Sequence, residues 1–241
     1  MAMFHSGRCG STLLADVLRQ HSQVRWSGEI FDGVRSYCPG FEPTRPWVEE
    51  VIRRSVCAAS SGVMGFETKA MHFSSRCVPQ TPQEYVQLLQ KLGCTHYILL
   101  TRRNALRALV SGLFVYHQGR KELSHDGALE LPRSVKVDIE APSGPGNGDL
   151  LFVLRWYLEF QRNMIEALPQ SQLLQLVFEN DIEPGVEGAY RKVCEHVGIS
   201  PERYELRMRR VNPFPLSSMI MNFGEVASYL KGTEFEWMLA G

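Results

Sequence analysis

The sequence predicts an α/β protein, a three-layer sandwich in which a central, mostly parallel sheet is flanked by helices. Short apolar runs alternate along the chain with segments of helical periodicity, which is typical of parallel strands joined by helices. A glycine-bearing turn separates the first apolar run from the first helical segment. The 241 residues are enough for one large domain with a substantial core.

Five short apolar runs are the predicted strands. In chain order they cover residues 1–5, 24–27, 63–68, 97–100 and 173–178. The run 97–100 is the clearest buried strand, because it is apolar throughout and the helical segments on both sides can cover it.

Apolar residues at helical spacing predict the helices between these strands. They cover residues 12–20, 46–59, 81–92, 104–117, 149–168, 186–197 and 223–230. Pro46 and Pro82 stand in the first turn of their segments, where proline is tolerated, and Gly93 is a stop signal for the segment 81–92.

One polar stretch interrupts this alternation. Residues 119–148 are rich in polar residues, proline and glycine. A loop of this length in a compact domain is usually a functional lid or a mobile insert. We therefore predict a single domain over residues 1–241, with 119–148 as a lid or mobile insert.

Composition excludes several classes of protein. The 26 basic residues balance the 26 acidic ones, so no overall charge indicates binding to nucleic acid. No apolar run approaches the ~20 residues of a membrane-spanning helix. The six cysteines form no C-x-x-C pair and the histidines are dispersed, so we expect reduced thiols, a cytoplasmic protein and no metal site.

The turn after the first strand is a predicted anion site. Backbone N–H groups at the start of a helix, together with the helix dipole, suit a phosphate group. The expected ligands are Gly7, Arg8, Cys9, Gly10, Ser11 and Thr12. A triphosphate-binding loop would have lysine directly before Ser11, and Gly10 stands there instead. The alternative is a turn in which Ser11 or Thr12 simply caps the helix.

A second candidate anion site follows the strand 97–100. Arg103 comes at the carboxyl end of this strand, where open α/β sheets bind ligands. Ser111 follows about two helical turns later, and a guanidinium and a hydroxyl suit a second phosphate. The alternative is a capped helix with solvated arginines.

Together these two segments resemble the sulfotransferases that use 3′-phosphoadenosine 5′-phosphosulfate (PAPS). In that family a P-R/K-S-G-[ST]-T-x-L loop holds the 5′-phosphosulfate, and an R-N-x-x-x-x-x-x-S segment holds the 3′-phosphate. The sequence GRCGSTLL at 7–14 matches the first motif, with Cys9 at a usual serine. Arg103 to Ser111 matches the second motif with the family's spacing. The resemblance implies a P-loop NTPase-like fold and PAPS as cosubstrate.

The resemblance also implies catalytic residues. Residues 21–31 look like a segment of the tyrosylprotein, heparan-type and bacterial glycolipid branches, and Glu29 stands where those branches carry their general base. Lys69 ends a strand similar to the one that carries the family's catalytic lysine. His72 is a reserve base, because the cytosolic branch uses a histidine near that lysine. Arg8 is expected to neutralise the leaving phosphate.

The implied reaction moves a sulfuryl group to a hydroxyl, less readily an amine, of a small, glycan or lipid acceptor, without a metal ion. Two other functions stay open. A P-loop nucleotide kinase would share the glycine turn but needs an acidic magnesium ligand at a strand end. A non-catalytic module that binds a nucleotide or a sulfated ligand would not need Arg8, Glu29 and Lys69 to converge.

Overall fold

A computed structural model describes residues 1–32, 41–56, 62–74, 77–118, 134–142, 148–208 and 214–240. The chain divides into two compact units. The first comprises Met1–Thr101 and Phe160–Glu205, and the second comprises Arg102–Glu159 and Leu206–Gly241. The assignment of the whole chain to one domain stays a prediction.

The first unit is built on a five-stranded parallel sheet. Its strands are β1 (Ala2–His5), β2 (Val24–Glu29), β3 (Val63–Lys69), β4 (Tyr97–Thr101) and β5 (Leu173–Val177). They lie in the order β2-β3-β1-β4-β5, so β1 is central. This arrangement confirms the predicted α/β class, and each of the five predicted strands is present. The pairing is parallel throughout, whereas the sequence predicted a mostly parallel sheet.

Helices connect the strands and continue into the second unit. They are α1 (Ser11–Gln20), α2 (Arg45–Val56), α3 (Ala70–Ser74), α4 (Pro82–Lys91), α5 (Ala105–Gln118), α6 (Leu150–Ala167), α7 (Glu187–His196), α8 (Leu216–Met219) and α9 (Phe223–Leu230). The two shortest, α3 and α8, were not predicted, because so few residues carry no readable periodicity. A π-helical turn, Phe178–Ile182, follows β5 where the sequence predicted the end of the strand.

Apolar side chains cover both faces of the sheet. On one face, buried residues of α1 and α7, such as Leu14 and Val193, form a cluster with Met3 of β1. On the other face, Phe4 packs edge-on against Tyr85 of α4 at 6.0 Å between ring centroids. Because residues alternate between faces along a strand, His5 lies on the same face as Met3. His5 is therefore a polar residue at the end of an otherwise apolar strand.

The second unit has a separate apolar core. Its buried residues come from α5, from the first half of α6 and from the C-terminal segment. Val135 forms a parallel bridge with Ile220, and the Asn222 side chain bonds both the N–H and the carbonyl of Val137 at 2.9 Å. Part of the predicted lid, 134–142, is thus packed in this core. Residues 119–133 and 143–147 lie outside the described residues, and the lid function stays a prediction.

Two further sequence expectations concern cysteines and membrane helices. Cys9, Cys77, Cys94 and Cys194 are free thiols, and the other two cysteines lie outside the described residues. Within the described ranges, no helix combines the length and the apolar character that crossing a membrane requires. The cytoplasmic location stays a prediction.

Candidate active site

The turn between β1 and α1 has a backbone conformation that glycine favours. Gly7, Arg8 and Gly10 all have positive φ, at 87°, 55° and 84°. Arg8 is the non-glycine residue with positive φ in the described part of the chain, and this conformation costs an L-residue about 1–2 kcal/mol. The Ser6 hydroxyl is buried and has no hydrogen-bond partner among the described residues. A strained turn with an unsatisfied hydroxyl fits an anion that binds from outside.

Gly10 is the N-cap of α1, so the alternative in which Ser11 or Thr12 caps the helix is wrong. Ser11 is already the first helical residue, one position earlier than predicted. A glycine cap has no side chain to occupy the first N–H groups of the helix, which therefore suit an anion. Space also requires glycine here, because a Cβ at Gly10 would lie 2.6 Å from Cγ2 of Ile182.

A bulge in β2 decides which face of the sheet carries Glu29. Trp26 pairs with Gly65, yet Glu29 pairs with Glu67, so β2 has one residue more than β3 over this stretch. Paired residues of parallel strands share a face, and a shift by one residue exchanges the faces. The extra residue therefore places Glu29 on the face of Glu67, and bulges often re-aim a side chain in this way.

Lys69 and Glu29 form an ion pair at the carboxyl edge of the sheet. Each ends its strand, and both side chains are about four-fifths buried. Lys69 Nζ is also 4.0 Å from an oxygen of Asp32. In the sheet register Lys69 pairs with His5, the residue that precedes the turn. The structure thus brings the predicted lysine and the predicted base together, next to the strand from which the turn emerges.

His72 lies in α3, directly after β3, and its ring is buried. The Lys69 backbone N–H donates to His72 Nδ1 at 3.1 Å. Burial, together with the positive charges of Lys69 and His5, lowers the pKa of His72 to about 3. The ring is therefore neutral at physiological pH. Because Nδ1 accepts a hydrogen bond, the proton of the neutral ring is on Nε2.

Two residues of this edge, His5 and Glu67, were missed by the sequence analysis. His5 Nε2 lies 3.3 Å from Glu67 Oε2, and both side chains are buried. Trp26 Nε1 donates to Glu67 Oε1 at 2.7 Å. Each is a titratable residue in an apolar strand, and this could have been noticed in the sequence. Their pairing could not be inferred from the sequence, because it depends on the register between β1 and β3.

His5 and Glu67 each stabilise the charged form of the other. Burial alone would lower the pKa of His5, but interactions with Cys9 and Glu67 outweigh it and raise the pKa to about 9. Burial alone would raise the pKa of Glu67, but His5 and the Trp26 N–H lower it below its usual range. At neutral pH we therefore expect a buried imidazolium–carboxylate pair.

Several carboxylates and histidines are close enough to share a cation. Among the described residues, potential ligand atoms lie within 4.8 Å of one another in two groups, His5 with Glu29 and Glu67, and Glu29 with Asp32 and His72. Glu29 belongs to both groups, and the Lys69 ammonium already balances its charge. The expectation that the site works without a metal stays a prediction.

Arg103 and Ser111 lie in the second unit. Arg103 is exposed and follows the end of β4 by two residues, and Ser111 is half-buried in α5. Asn104 caps α5, because its Oδ1 accepts from the Arg107 N–H at 2.9 Å. Binding of a second phosphate by Arg103 and Ser111 stays a prediction.

A search of solved structures finds a sulfotransferase from Alicyclobacillus acidocaldarius. The two chains are 12% identical, and the match covers 94% of this chain and 90% of that one at a TM-score of 0.51. This protein therefore has a sulfotransferase-like fold. No family model and no curated protein matches the sequence.

Proposed function

We propose that this protein is a sulfotransferase that moves the sulfuryl group of PAPS to a hydroxyl of its acceptor. The observation that carries the proposal is the meeting of Lys69 and Glu29 at the carboxyl edge of β3 and β2, next to the end of β1. The fold likeness and the motif at 7–14 support the same function.

The turn at residues 6–10 and the start of α1 would bind the 5′-phosphosulfate. The first N–H groups of α1 and the Ser6 hydroxyl are suitable donors, and Arg8 adds a positive charge. Gly7 leaves space for a ligand, because a Cβ there would meet no described atom within 4 Å. Charge that develops on the leaving phosphate would be stabilised by donors already in position.

In the transfer step, the acceptor oxygen attacks sulfur as the bond from sulfur to the phosphate oxygen breaks. The products are a sulfate ester and 3′-phosphoadenosine 5′-phosphate (PAP). Lys69 would move from Glu29 to the leaving oxygen and the sulfuryl group, where a cation stabilises the transition state.

Glu29 would accept the proton of the acceptor hydroxyl. It lies at the strand end in an ion pair with Lys69, and a carboxylate is a suitable general base. His72 suits this task less well, because its Nδ1 already accepts a hydrogen bond and burial keeps its pKa at about 3. Between the two candidates of the sequence analysis, the geometry favours Glu29.

Arg103 and Ser111 would bind the 3′-phosphate of the donor. The acceptor is a hydroxyl compound, less readily an amine, and a small molecule, a glycan and a lipid all stay candidates. The reaction would need no metal ion, because Arg8 and Lys69 supply the positive charge.

The test is a transfer assay with PAPS and a panel of hydroxyl acceptors in excess EDTA. We expect a sulfated product by mass spectrometry and equimolar PAP. Glu29→Gln should lower the rate by about 10²–10⁴-fold, the usual contribution of a placed base. Glu50→Gln, which removes an exposed carboxylate paired with Arg54 on α2, is the control and should keep the full rate.

Calorimetric titration with PAP and ATP, together with the transfer assay, distinguishes a sulfotransferase from a nucleotide kinase and from a non-catalytic binding module. Tight binding of PAP with weak binding of ATP supports a sulfotransferase. Preference for ATP and an absolute need for magnesium would indicate the kinase. PAP binding without transfer to any acceptor, unchanged by Glu29→Gln, would indicate the non-catalytic module.

A further inference from the structure

The proposed function assigns no role to the buried pair His5 and Glu67. Both side chains are at most 4% exposed. Moving two charges out of water costs several kcal/mol per ion, and an apolar pair of similar volume is often at least as stable. A gain in stability is therefore a poor explanation for burying this pair, and its location suggests a functional explanation.

The pair lies at the end of β1, next to the turn at residues 6–10 and the start of α1, which is the proposed binding site of the 5′-phosphosulfate and is called the donor site below. His5 ends β1, and the next residue begins the turn. In the turn, Cys9 raises the pKa of His5. Across the sheet, ligand atoms of His5, Glu29 and Glu67 lie within 4.8 Å of one another. His5 thus directly precedes the turn, lies against Glu67 of β3, and is close to the candidate base.

The orientation of the pair is fixed from its far side. The Trp26 indole donates to Glu67 and lies over Gly65, where a Cβ would be 2.3 Å from the ring. Glu67 is therefore held between an indole N–H and the His5 ring. A carboxylate fixed on both sides can orient the imidazole precisely enough to support neighbouring groups.

We propose that His5 is a positioning residue of the donor site, whose ring, held by Glu67, fixes the turn at residues 6–10 and supplies a positive charge beneath the bound phosphosulfate. This inference rests on the proposed function. It adds a residue that touches neither the donor nor the acceptor in the proposed mechanism.

The charge of His5 gives the inference a pH signature. With a pKa of about 9, His5 is positive at neutral pH and neutral well above 9. The charge favours a dianionic phosphate, so donor binding should weaken as the pH rises through 9. The titratable and charged groups around His5 and its partner Glu67 are Cys9, Arg19, Glu29, Asp32, Glu67, Lys69 and His72.

The experiment is calorimetric titration with PAP between pH 7.5 and 9.5. We take the positive charge of His5 to strengthen PAP binding about tenfold. Because the pKa of His5 is about 9, part of this charge remains at pH 9.5, so the affinity of the unaltered protein should fall about threefold over this range. His5→Gln, which keeps a hydrogen-bonding side chain, should bind about tenfold more weakly at pH 7.5 and should lose this pH dependence. His96→Gln is the control, because His96 precedes β4 at the opposite, amino edge of the sheet.

Two variants assign the pH dependence to His5. Cys9 also raises the pKa of His5, so the titration is repeated over a wider pH range with Cys9→Ser, where we expect the dependence to persist but to move to lower pH. Glu67→Gln removes the carboxylate that holds the imidazolium, so the dependence should move to lower pH. If His5→Gln does not fold, the shift of the pH dependence in Glu67→Gln serves as the test of the role of His5.

The outcomes separate the two proposals. Failure of the unaltered protein to bind PAP overturns the proposed function. Binding of PAP with the same affinity and pH profile in the unaltered protein and His5→Gln overturns only the role of His5. A pH dependence that disappears in Cys9→Ser, or that Glu67→Gln leaves unmoved, also overturns it.

Discussion

The two candidate phosphate-binding segments begin their helices differently. Helix α1 starts after Gly10, which has no side chain to offer its first N–H groups. Helix α5 starts after Asn104, whose side chain bonds the Arg107 N–H and, through Nδ2, the Met238 carbonyl at 2.8 Å. The first helix start suits an anion held by backbone, while the second is already occupied by a side chain.

This difference predicts different tasks for the two segments. The turn before α1 adjoins Lys69 and Glu29, so we expect changes there to affect the transfer rate as well as binding. Arg103 and Ser111 would hold their phosphate by side chains, so we expect changes there to affect binding alone. Variants of each segment test this distinction.

The largest effect is expected from Lys69→Ala. Loss of a cation at the leaving oxygen should lower the transfer rate about 10³-fold, similar to the loss of a preorganised transition-state donor. Single-turnover kinetics at saturating PAPS measure it. Arg191→Ala, which removes an exposed cation paired with Glu187 on α7, should leave the rate unchanged. A Lys69→Ala rate within tenfold of the unaltered protein would contradict the proposed role.

Gly10→Ala should come next, with PAP binding about 10²-fold weaker. The new methyl group would overlap Ile182 in a left-handed conformation, so the turn must shift. Gly93→Ala is a matched control, because Gly93 has the same φ of 84° but no described atom within 4 Å of its Cβ. It should cost about 1 kcal/mol of stability and leave PAP binding intact. Equal binding by the two variants would contradict a backbone-built site.

Arg103→Ala should weaken PAP binding about tenfold or more, since a charged hydrogen bond contributes roughly 1.5–3 kcal/mol. Binding of adenosine 5′-phosphate, which lacks the 3′-phosphate, should not change. The transfer rate at saturating PAPS should also stay the same. Equal losses for both nucleotides would show that Arg103 does not read the 3′-phosphate.

The smallest effect is expected from Asn104→Ala. The variant loses the cap of α5 and the bond to Met238, which together should lower the free energy of unfolding by about 1–2 kcal/mol. Urea denaturation measures this loss. PAP binding in the folded variant should fall at most severalfold, and a loss as large as that of Gly10→Ala would remove the distinction between the two segments.

The sequence was sufficient for the five strands and for most helices, because apolar runs and helical spacing are local signals, but it did not give the order of the strands in the sheet. It also placed Lys69 and Glu29 at strand ends through a family resemblance. It could not show that the two meet, because the face of Glu29 depends on a bulge that only the pairing with β3 reveals. His5 and Glu67 remained unassigned for the same reason, since their contact crosses from β1 to β3.

Gly65 has a consequence for any attempt to repack this edge of the sheet. The Trp26 indole fills the volume that a side chain at Gly65 would take. A larger residue at position 65 is therefore compatible only with a smaller one at position 26, and a smaller residue there removes the N–H donor of Glu67. Residues 26 and 65 should accordingly be exchanged as a pair in any library of variants. Even a well-packed pair without tryptophan at position 26 would leave Glu67 Oε1 without its present hydrogen-bond donor.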